Sequence, residues 1–520
     1  MHLHNLKLMR VEFDIVVQTF QAVFQKIVIA GKTLLAEGVQ RFGNGFVGLH
    51  GNGDSLMYFC LLINQPTVCL FSLLYTVSIR AYSALLRLVA PFNPKAQQWV
   101  DGRKGWLPKL REKLAGNTAP IAWFHAASLG EFEQGRPVME AFREQYPGYK
   151  ILLTFFSPSG YEIRKNYAGA NFIVYLPADT PENARAFIAL VKPQLVFFIK
   201  YEFWANYLHE LRANRIPILS FSAIFRTNQL FFKPWGGFYR ELLTCFDHIL
   251  VQNDESEQLL RGIGITKVTR AGDTRFDRVD QVAAARKEIP VVADFKTDGG
   301  NKPQPLLVIG SAWQADMDVL IPFLNSFEHP LKVIVAPHEI HNDEIERWRS
   351  QLTKPSALYS EVKEWNSEIV KERKPTQPEH VRNADHFRSF ALSPFHYLFI
   401  NNIGMLSSLY QYGEFAFIGG GFGKGLHNIL EAATFGMPIF FGPNYGKFQE
   451  AVDLIQEGGA FSVEDARSLA DLFQKQYADR TQAAQITRDY VQRNIGTTAK
   501  VMEVVETVFN RKDAKDSQRR

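Results

Sequence analysis

Polar and apolar positions along the chain sort into short, largely apolar runs separated by longer stretches with helical spacing. In the first half the runs cover residues 121–125, 151–156, 172–176, 195–199, 218–221 and 248–251. In the second half they cover 306–309, 332–336, 398–401, 415–418 and 438–441. Such runs, without regular alternation, predict strands buried on both faces, and helical stretches between successive strands make the sheets parallel. The pattern therefore predicts two doubly wound α/β domains, residues 116–285 and 303–490. Residues 286–302 show no period, carry Asp298-Gly299-Gly300 near their end, and read as a linker. Ligands of such sheets sit beyond the C-terminal strand ends, so the turns after the runs are where chemistry is expected.

The flanks follow a different pattern. Residues 68–90 are strongly apolar, with Arg80 and Arg87 seven apart on about the same helical face. Asn64-Gln65-Pro66 is expected to break this stretch from the uncharged residues before it. Lys95, Arg103, Lys104, Lys109 and Arg111 follow. Residues 57–115 thus read as a membrane-anchor helix and basic connector, with arginines reaching lipid phosphates; a buried core helix is the alternative. Residues 1–56 form a leader that is hard to place, and Met57 resembles a natural start. Residues 356–393 are charged and irregular and read as a surface excursion. Residues 511–520 are polar and are expected to be disordered.

Bulk properties narrow the class. A chain of 520 residues is too long for one ordinary core. The net charge of +5 is too small to argue for a nucleic-acid partner but suits a membrane surface or an anionic substrate. The three cysteines, Cys60, Cys69 and Cys245, make neither a disulfide framework nor a metal cluster. No His-Glu-x-x-His pattern occurs.

The run 415–418 opens into Gly419-Gly420-Gly421-Phe422-Gly423-Lys424-Gly425, and helical spacing resumes from about His427. Strand, glycine turn and helix N-terminus together suit a phosphate, although Gly425 after Lys424 rules out a Walker A loop. Asn428 and Glu431 share a face in the first helical turns, where Glu431 can accept ribose hydroxyls; helix capping is the alternative. Glu131 follows the run 121–125 through Ala126-Ala127-Ser128-Leu129-Gly130, at a helix N-terminus. It is either a general base or a cap on the helix dipole. Lys200, Glu202 and Trp204 follow the run 195–199, where the two charges can hold sugar hydroxyls or each other. Arg226 and Lys233 lie among Phe225, Phe231, Phe232 and Trp235, an arrangement that can engage a phosphorylated amphiphile or be core with solvated bases.

Taken in order, these pieces resemble one family, the 3-deoxy-D-manno-octulosonic acid (Kdo) transferases. Ala127-Ser128-Leu129-Gly130-Glu131 is similar to the family's Ala-Ser-Val-Gly-Glu motif. Tyr175-Leu176-Pro177-Ala178-Asp179, Glu202-Phe203-Trp204-Ala205-Asn206 and Ala271-Gly272-Asp273-Thr274-Arg275-Phe276-Asp277 also resemble family segments. Gly419-Gly420 through His427-Asn428-Ile429-Leu430-Glu431-Ala432-Ala433 resembles its glycine-rich signature. The resemblance runs from about Tyr75 to Val508. Departures fall at Gly310-Ser311-Ala312-Trp313-Gln314-Ala315-Asp316, which keeps only the start of Gly-Ser-Thr-His-Glu-Gly-Glu. Others fall at His338, Lys200 and Ala205, where arginine, glutamate and proline are usual.

The resemblance implies a GT-B fold: two Rossmann-like domains facing across a cleft, with a final helix, residues 491–510, crossing back to the first. It implies an inverting, metal-independent glycosyltransferase without cofactor, moving Kdo from CMP-Kdo to the lipid A precursor lipid IVA at the cytoplasmic face of the inner membrane. Glu131 is then the base, with Ser128, Gly130, Glu202 and Arg226 on the acceptor side. Ser311, Pro337, His338, Gly404, Met405, Gly421, Lys424, Gly425, Asn428 and Glu431 fall on the donor side. The rival readings are another GT-B glycosyltransferase, a sugar-nucleotide epimerase, and a non-catalytic membrane-associated nucleotide-sugar-binding protein.

Overall fold

The computed structural model describes residues 54–297, 302–363, 394–423 and 425–517, with side chains between residues 71 and 510. The leader expected over 1–56 (save its last residues), Asp298-Gly299-Gly300, most of the surface excursion and Lys424 lie outside the described residues.

The chain forms two compact units, one made of residues up to Thr274 together with Thr498 onward, the other of Arg275–Thr497. Among the described residues each unit holds a seven-stranded sheet, and all pairings between named strands are parallel. In the first unit β1 (Ile121–Ala126), β2 (Lys150–Phe155), β3 (Phe172–Tyr175), β4 (Leu195–Ile199), β5 (Ile218–Ala223), β6 (His248–Val251) and β7 (Val268–Arg270) lie in the order 3-2-1-4-5-6-7. In the second, β8 (Leu306–Ala312), β9 (Lys332–Pro337), β10 (Ser356–Leu358), β11 (Tyr397–Phe399), β12 (Phe415–Ile418), β13 (Ile439–Phe441) and β14 (Ala460–Ser462) lie in the order 10-11-9-8-12-13-14. The strand order reverses at β1/β4 and at β8/β12, and it is there, beyond the carboxyl ends, that an open α/β sheet leaves a crevice.

Burial on both faces explains the unalternating runs. Trp123 and Phe198 pack on one side of the first sheet, Phe124 and Phe197 on the other, the latter two stacked at 4.2 Å. Each such side chain contributes about 1.5–3 kcal/mol by leaving water. The last helix, Thr497–Ser517, returns Val501, Met502 and Val505 to the core of the first unit.

Three expectations need correction. Residues 286–302 are not a free linker, because the helix Pro290–Lys296 buries Val291, Val292 and Phe295 in the core of the second unit. Seven residues are too few to show a period. The final helix does not begin at 491: one helix ends at Asn494 and another starts at Thr497, with Gly496 between them in the left-handed region at φ +103°. That helix then runs on to Ser517, into the stretch expected to be disordered, since lysine-rich polar sequence favours helix as readily as solvent.

The N-terminal apolar helix spans Asp54–Val89 without a break at Pro66. By length and composition Phe71–Phe92 is able to cross a membrane. One face of the helix docks on the rest of the first unit, where the Tyr75 hydroxyl donates to Asp179 Oδ2 at 2.6 Å. The buried Asp179 carboxylate also accepts the backbone N–H groups of Asn206 and Tyr207. Burial outweighs these donors and pushes its pKa up from 3.8 to about 6. The folded chain therefore holds this proton more tightly than the unfolded one. The resulting contribution to stability is full below about pH 4, is lost as pH rises to about 6, and stays lost above. Melting curves across this range should show the wild type losing stability relative to Asp179→Asn between pH 4 and 6 and running parallel to it above about pH 7. A constant offset at every pH would refute the assignment.

Candidate active site

Glu131 sits in the first turn of the helix Leu129–Gln145, directly past the end of β1. Its Oε2 accepts the Ser128 backbone N–H at 2.8 Å and the Ser128 hydroxyl. These bonds fix the carboxylate at the switch point of the first sheet. The helix lies close against β4 because Gly135 carries no side chain: a Cβ there would stand 2.2 Å from Ile199 Cδ1.

Beside this turn, at the end of β4, is a buried polar chain. Glu202 does not pair with Lys200 as the sequence had allowed. Its Oε2 meets His125 Nε2 at 3.1 Å and accepts the Trp204 indole N–H at 2.5 Å. His125 Nδ1 meets Thr154 Oγ1 at 2.8 Å, and that hydroxyl also accepts the Trp123 N–H. With Glu202 ionised, the consistent arrangement puts the imidazole proton on Nε2 and has Thr154 donate to Nδ1. Lys200 adopts φ +69° and sets its ammonium 5.2 Å from the Tyr201 ring centroid. A strained residue directly after a strand at the switch point is the kind of outlier that marks functional turns. Arg226 is exposed and reaches the Tyr201 hydroxyl at 3.4 Å. In its loop Phe225 and Phe231 are core, and Trp235 is exposed.

In the second unit Ser311, at φ +55°, and Trp313 lie at the end of β8, and Pro337-His338 at the end of β9. The rings of Trp313, His338 and His427 stack in series at 4.4 and 4.3 Å, and Trp313 Nε1–H donates to His427 Nε2 at 2.9 Å. Burial and the neighbouring His338 pull the His427 pKa down to about 4, so it is neutral at pH 7. Asp316, fully buried, ties two turns together: its Oδ2 accepts the N–H of Trp313 and of Gly420, both at 2.9 Å.

The glycine turn differs from its expected form. The helix after it is only Leu430–Ala433, so residues 425–429 present no helix N-terminus. The N–H groups of Gly423 and Gly425 donate to Gly420 O, and that of His427 to Gly419 O. The turn bonds to itself and to Asp316 rather than opening as an amide cradle. Gly421 allows close approach to β13, since a Cβ there would meet Gly442 N at 2.6 Å. Asn428 is exposed, caps Leu430 N–H, and reaches Glu431 Oε1 at 3.3 Å, while Ser407 donates to Glu431 Oε2 at 2.5 Å. Ser407 follows Gly404 and Met405 in the turn after β11. Among the described residues no three His, Cys, Asp or Glu side chains converge as a metal site.

Residues 99–278 match a family model described as 3-deoxy-D-manno-octulosonic-acid transferase (kdotransferase). A 3-deoxy-D-manno-octulosonic acid transferase of Bordetella pertussis is 27% identical over 457 residues, covering 83% of this chain and 98% of its own. One from Aquifex aeolicus is 22% identical over 373 residues, covering 70% and 88%. Over most of its length the chain is thus similar to Kdo transferases. These matches make it a glycosyltransferase. Among solved structures, a UDP-GlcNAc 2-epimerase from Neisseria meningitidis bound to UDP-GlcNAc superposes with a TM-score of 0.50 at 14% identity, over 75% of this chain and all of that one. That likeness shows the two-domain fold alone.

The chain thus carries Ser128, Gly130, Glu131 and Glu202 around one switch point of the first unit. Ser311 and Pro337 lie in the last residues of strands of the second, and His338 and Gly421 follow strands there, with Asn428 and Glu431 past the same glycine turn. Sequence reading passed over His125, Trp313, His427 and Asp316 as site residues. For Asp316 a signal existed, because it stands where the family motif ends in glutamate.

Proposed function

We propose that this protein is a Kdo transferase that moves Kdo from CMP-Kdo to the lipid A precursor lipid IVA, with inversion and without a metal, at the cytoplasmic face of the inner membrane. The observation that carries the reading is Glu131, clamped by Ser128 at the carboxyl end of β1 with its second oxygen available for a proton. In the reaction the acceptor hydroxyl loses its proton to Glu131 as its oxygen bonds to the anomeric carbon of Kdo. The bond from that carbon to the CMP phosphate breaks on the opposite face, and CMP leaves with the electron pair. In the second unit Ser311, His338 and Asn428 offer donors to the CMP phosphate, and the Ser407–Glu431 pair offers acceptors to ribose hydroxyls. A positioned base contributes about 10²–10⁴-fold. The exposed Leu73, Val77, Leu88 and Phe92 of the N-terminal segment suit a lipid surface. The relatives' names favour transfer over epimerisation, although an epimerase shares the fold.

The test is to incubate purified enzyme with lipid IVA and CMP-Kdo generated in place, with EDTA present, and to weigh the lipid by mass spectrometry. One or two added Kdo masses are expected. A folded protein that binds CMP but adds no sugar would favour the binding-protein reading.

A further inference from the structure

Next to Glu202 lies a cavity of ≈ 380 Å³ between the N-terminal helix and the rest of the first unit. This is within the ~300–1,000 Å³ of small-ligand sites. Its wall is aromatic: Trp99 and Phe156 meet at 5.8 Å between centroids, and Phe156 and Trp204 at 4.8 Å. Opposite stand Ser78, Ile79 and Tyr82 of the helix. The two carboxylates at the cavity are already engaged, Asp179 by Tyr75 and two backbone N–H groups, Glu202 by His125 and Trp204. The Ser78 and Ser83 hydroxyls donate to carbonyls of their own helix, and apart from the tyrosine hydroxyls what remains is ring faces and aliphatic carbon.

One polar group breaks this pattern. Trp99 is 6% exposed, and its Nε1–H has no acceptor among the described residues. Buried indole N–H groups ordinarily have a partner, and an unmet one costs about 1–3 kcal/mol. The ring is held in place by Arg103, which stacks 4.0 Å above it and donates to the carbonyls of Trp99, Phe156 and Leu176. Beyond Trp99 a second cavity of ≈ 440 Å³ has Arg87 and Lys104 among its lining residues. The aromatic wall also continues to the catalytic turn. Phe156 precedes Ser157, whose N–H donates to Ala127 O at 2.7 Å, next to Ser128.

We propose that this cavity receives one hydrocarbon chain of the lipid acceptor, with the carbonyl oxygen at the head of that chain accepting from Trp99 Nε1–H. The inference rests on the transfer reaction proposed above and adds to it a site that selects for acylation. A tail held beside the turn that carries Glu131 restricts where the attacking hydroxyl can lie, which is the advantage of an oriented substrate.

Two variants test it. Trp99→Phe keeps the ring stack and removes the N–H, and Ser78→Phe fills the cavity from the helix. Transfer is measured with lipid IVA and with its fully deacylated counterpart. For lipid IVA, KM should rise at least about 10-fold in Ser78→Phe and about 3- to 10-fold in Trp99→Phe, as expected for a lost buried hydrogen bond. The kcat at saturation and the KM for the deacylated acceptor should not change. An unchanged KM in both variants, or an equal rise with both acceptors, would overturn the proposal. If Ser78→Phe does not fold, Trp99→Phe decides.

A lipid IVA analogue with a diazirine in one chain gives a readout that needs no turnover. Cross-linking is expected on peptides containing Phe156 or Trp204, and excess lipid IVA should displace it while phosphatidylglycerol vesicles should not. Displacement by both means a general membrane-lipid contact and also overturns the proposal. Specific cross-linking by an enzyme that transfers no Kdo leaves the cavity standing and removes the proposed reaction.

Discussion

Glu131→Gln should lower kcat by at least about 10²-fold, the scale of a positioned general base, with the melting temperature and CMP affinity unchanged. The choice of glutamine follows from the two jobs this side chain performs. Its Oε2 closes the first helical turn by accepting from Ser128, and a bond of this kind is worth about 0.5–2 kcal/mol. An amide oxygen can accept the same bonds, so the turn survives, but an amide cannot take a proton from the acceptor. Glu131→Ala loses both functions and should be slow and also less stable. Parallel measurement of turnover and thermal unfolding separates base from cap. If Glu131→Gln transfers Kdo within a few-fold of wild type, Glu131 is a cap and the base lies elsewhere.

Asp316→Ala should abolish measurable CMP binding and destabilise the second unit by about 2–5 kcal/mol, the cost of stranding two buried N–H groups and leaving a gap. Asp316 reaches Trp313 at the end of β8 and Gly420 after β12, residues 104 positions from it in the second case. Both turns of the proposed donor site are set by this one carboxylate. Burial pushes its pKa up although backbone N–H groups pull it down. What the two turns need from it is an acceptor oxygen at this place. Asp316→Asn keeps an oxygen in place and should recover most of the stability and binding. Calorimetric titration with CMP and thermal unfolding of both variants provide the comparison. Loss of binding in Asp316→Asn equal to that in Asp316→Ala would mean that the charge itself is used.

The interior of each sheet was legible because a strand covered on both faces must be apolar throughout. Residues 121–125 and 415–418 announced β1 and β12 almost to their ends. β7, β10 and β14 were not seen. Each is three residues long and lies at an edge of its sheet, where half the backbone has no partner and the side chains need not be apolar. The site divides in the same way. Glu131 and Ser128 are three positions apart, and local sequence carries their relation. His125 and Glu202 are 77 positions apart and meet only because β1 and β4 are neighbours, which no run of residues states. The helix N-terminus expected after the glycine turn failed for a related reason. Leu426, Ile429 and Leu430 have helical spacing, but the amides before them are drawn back onto Gly419 and Gly420.

The return of Thr498–Arg520 to the first unit means that the first domain is interrupted in the gene while the second is not. Residues 275–497 leave the ribosome as one uninterrupted folding unit. The domain begun earlier has to wait for the message beyond residue 497 before Val501, Met502 and Val505 can close its core. A premature stop near residue 497 would spare the domain nearest to the lesion and injure the one translated first.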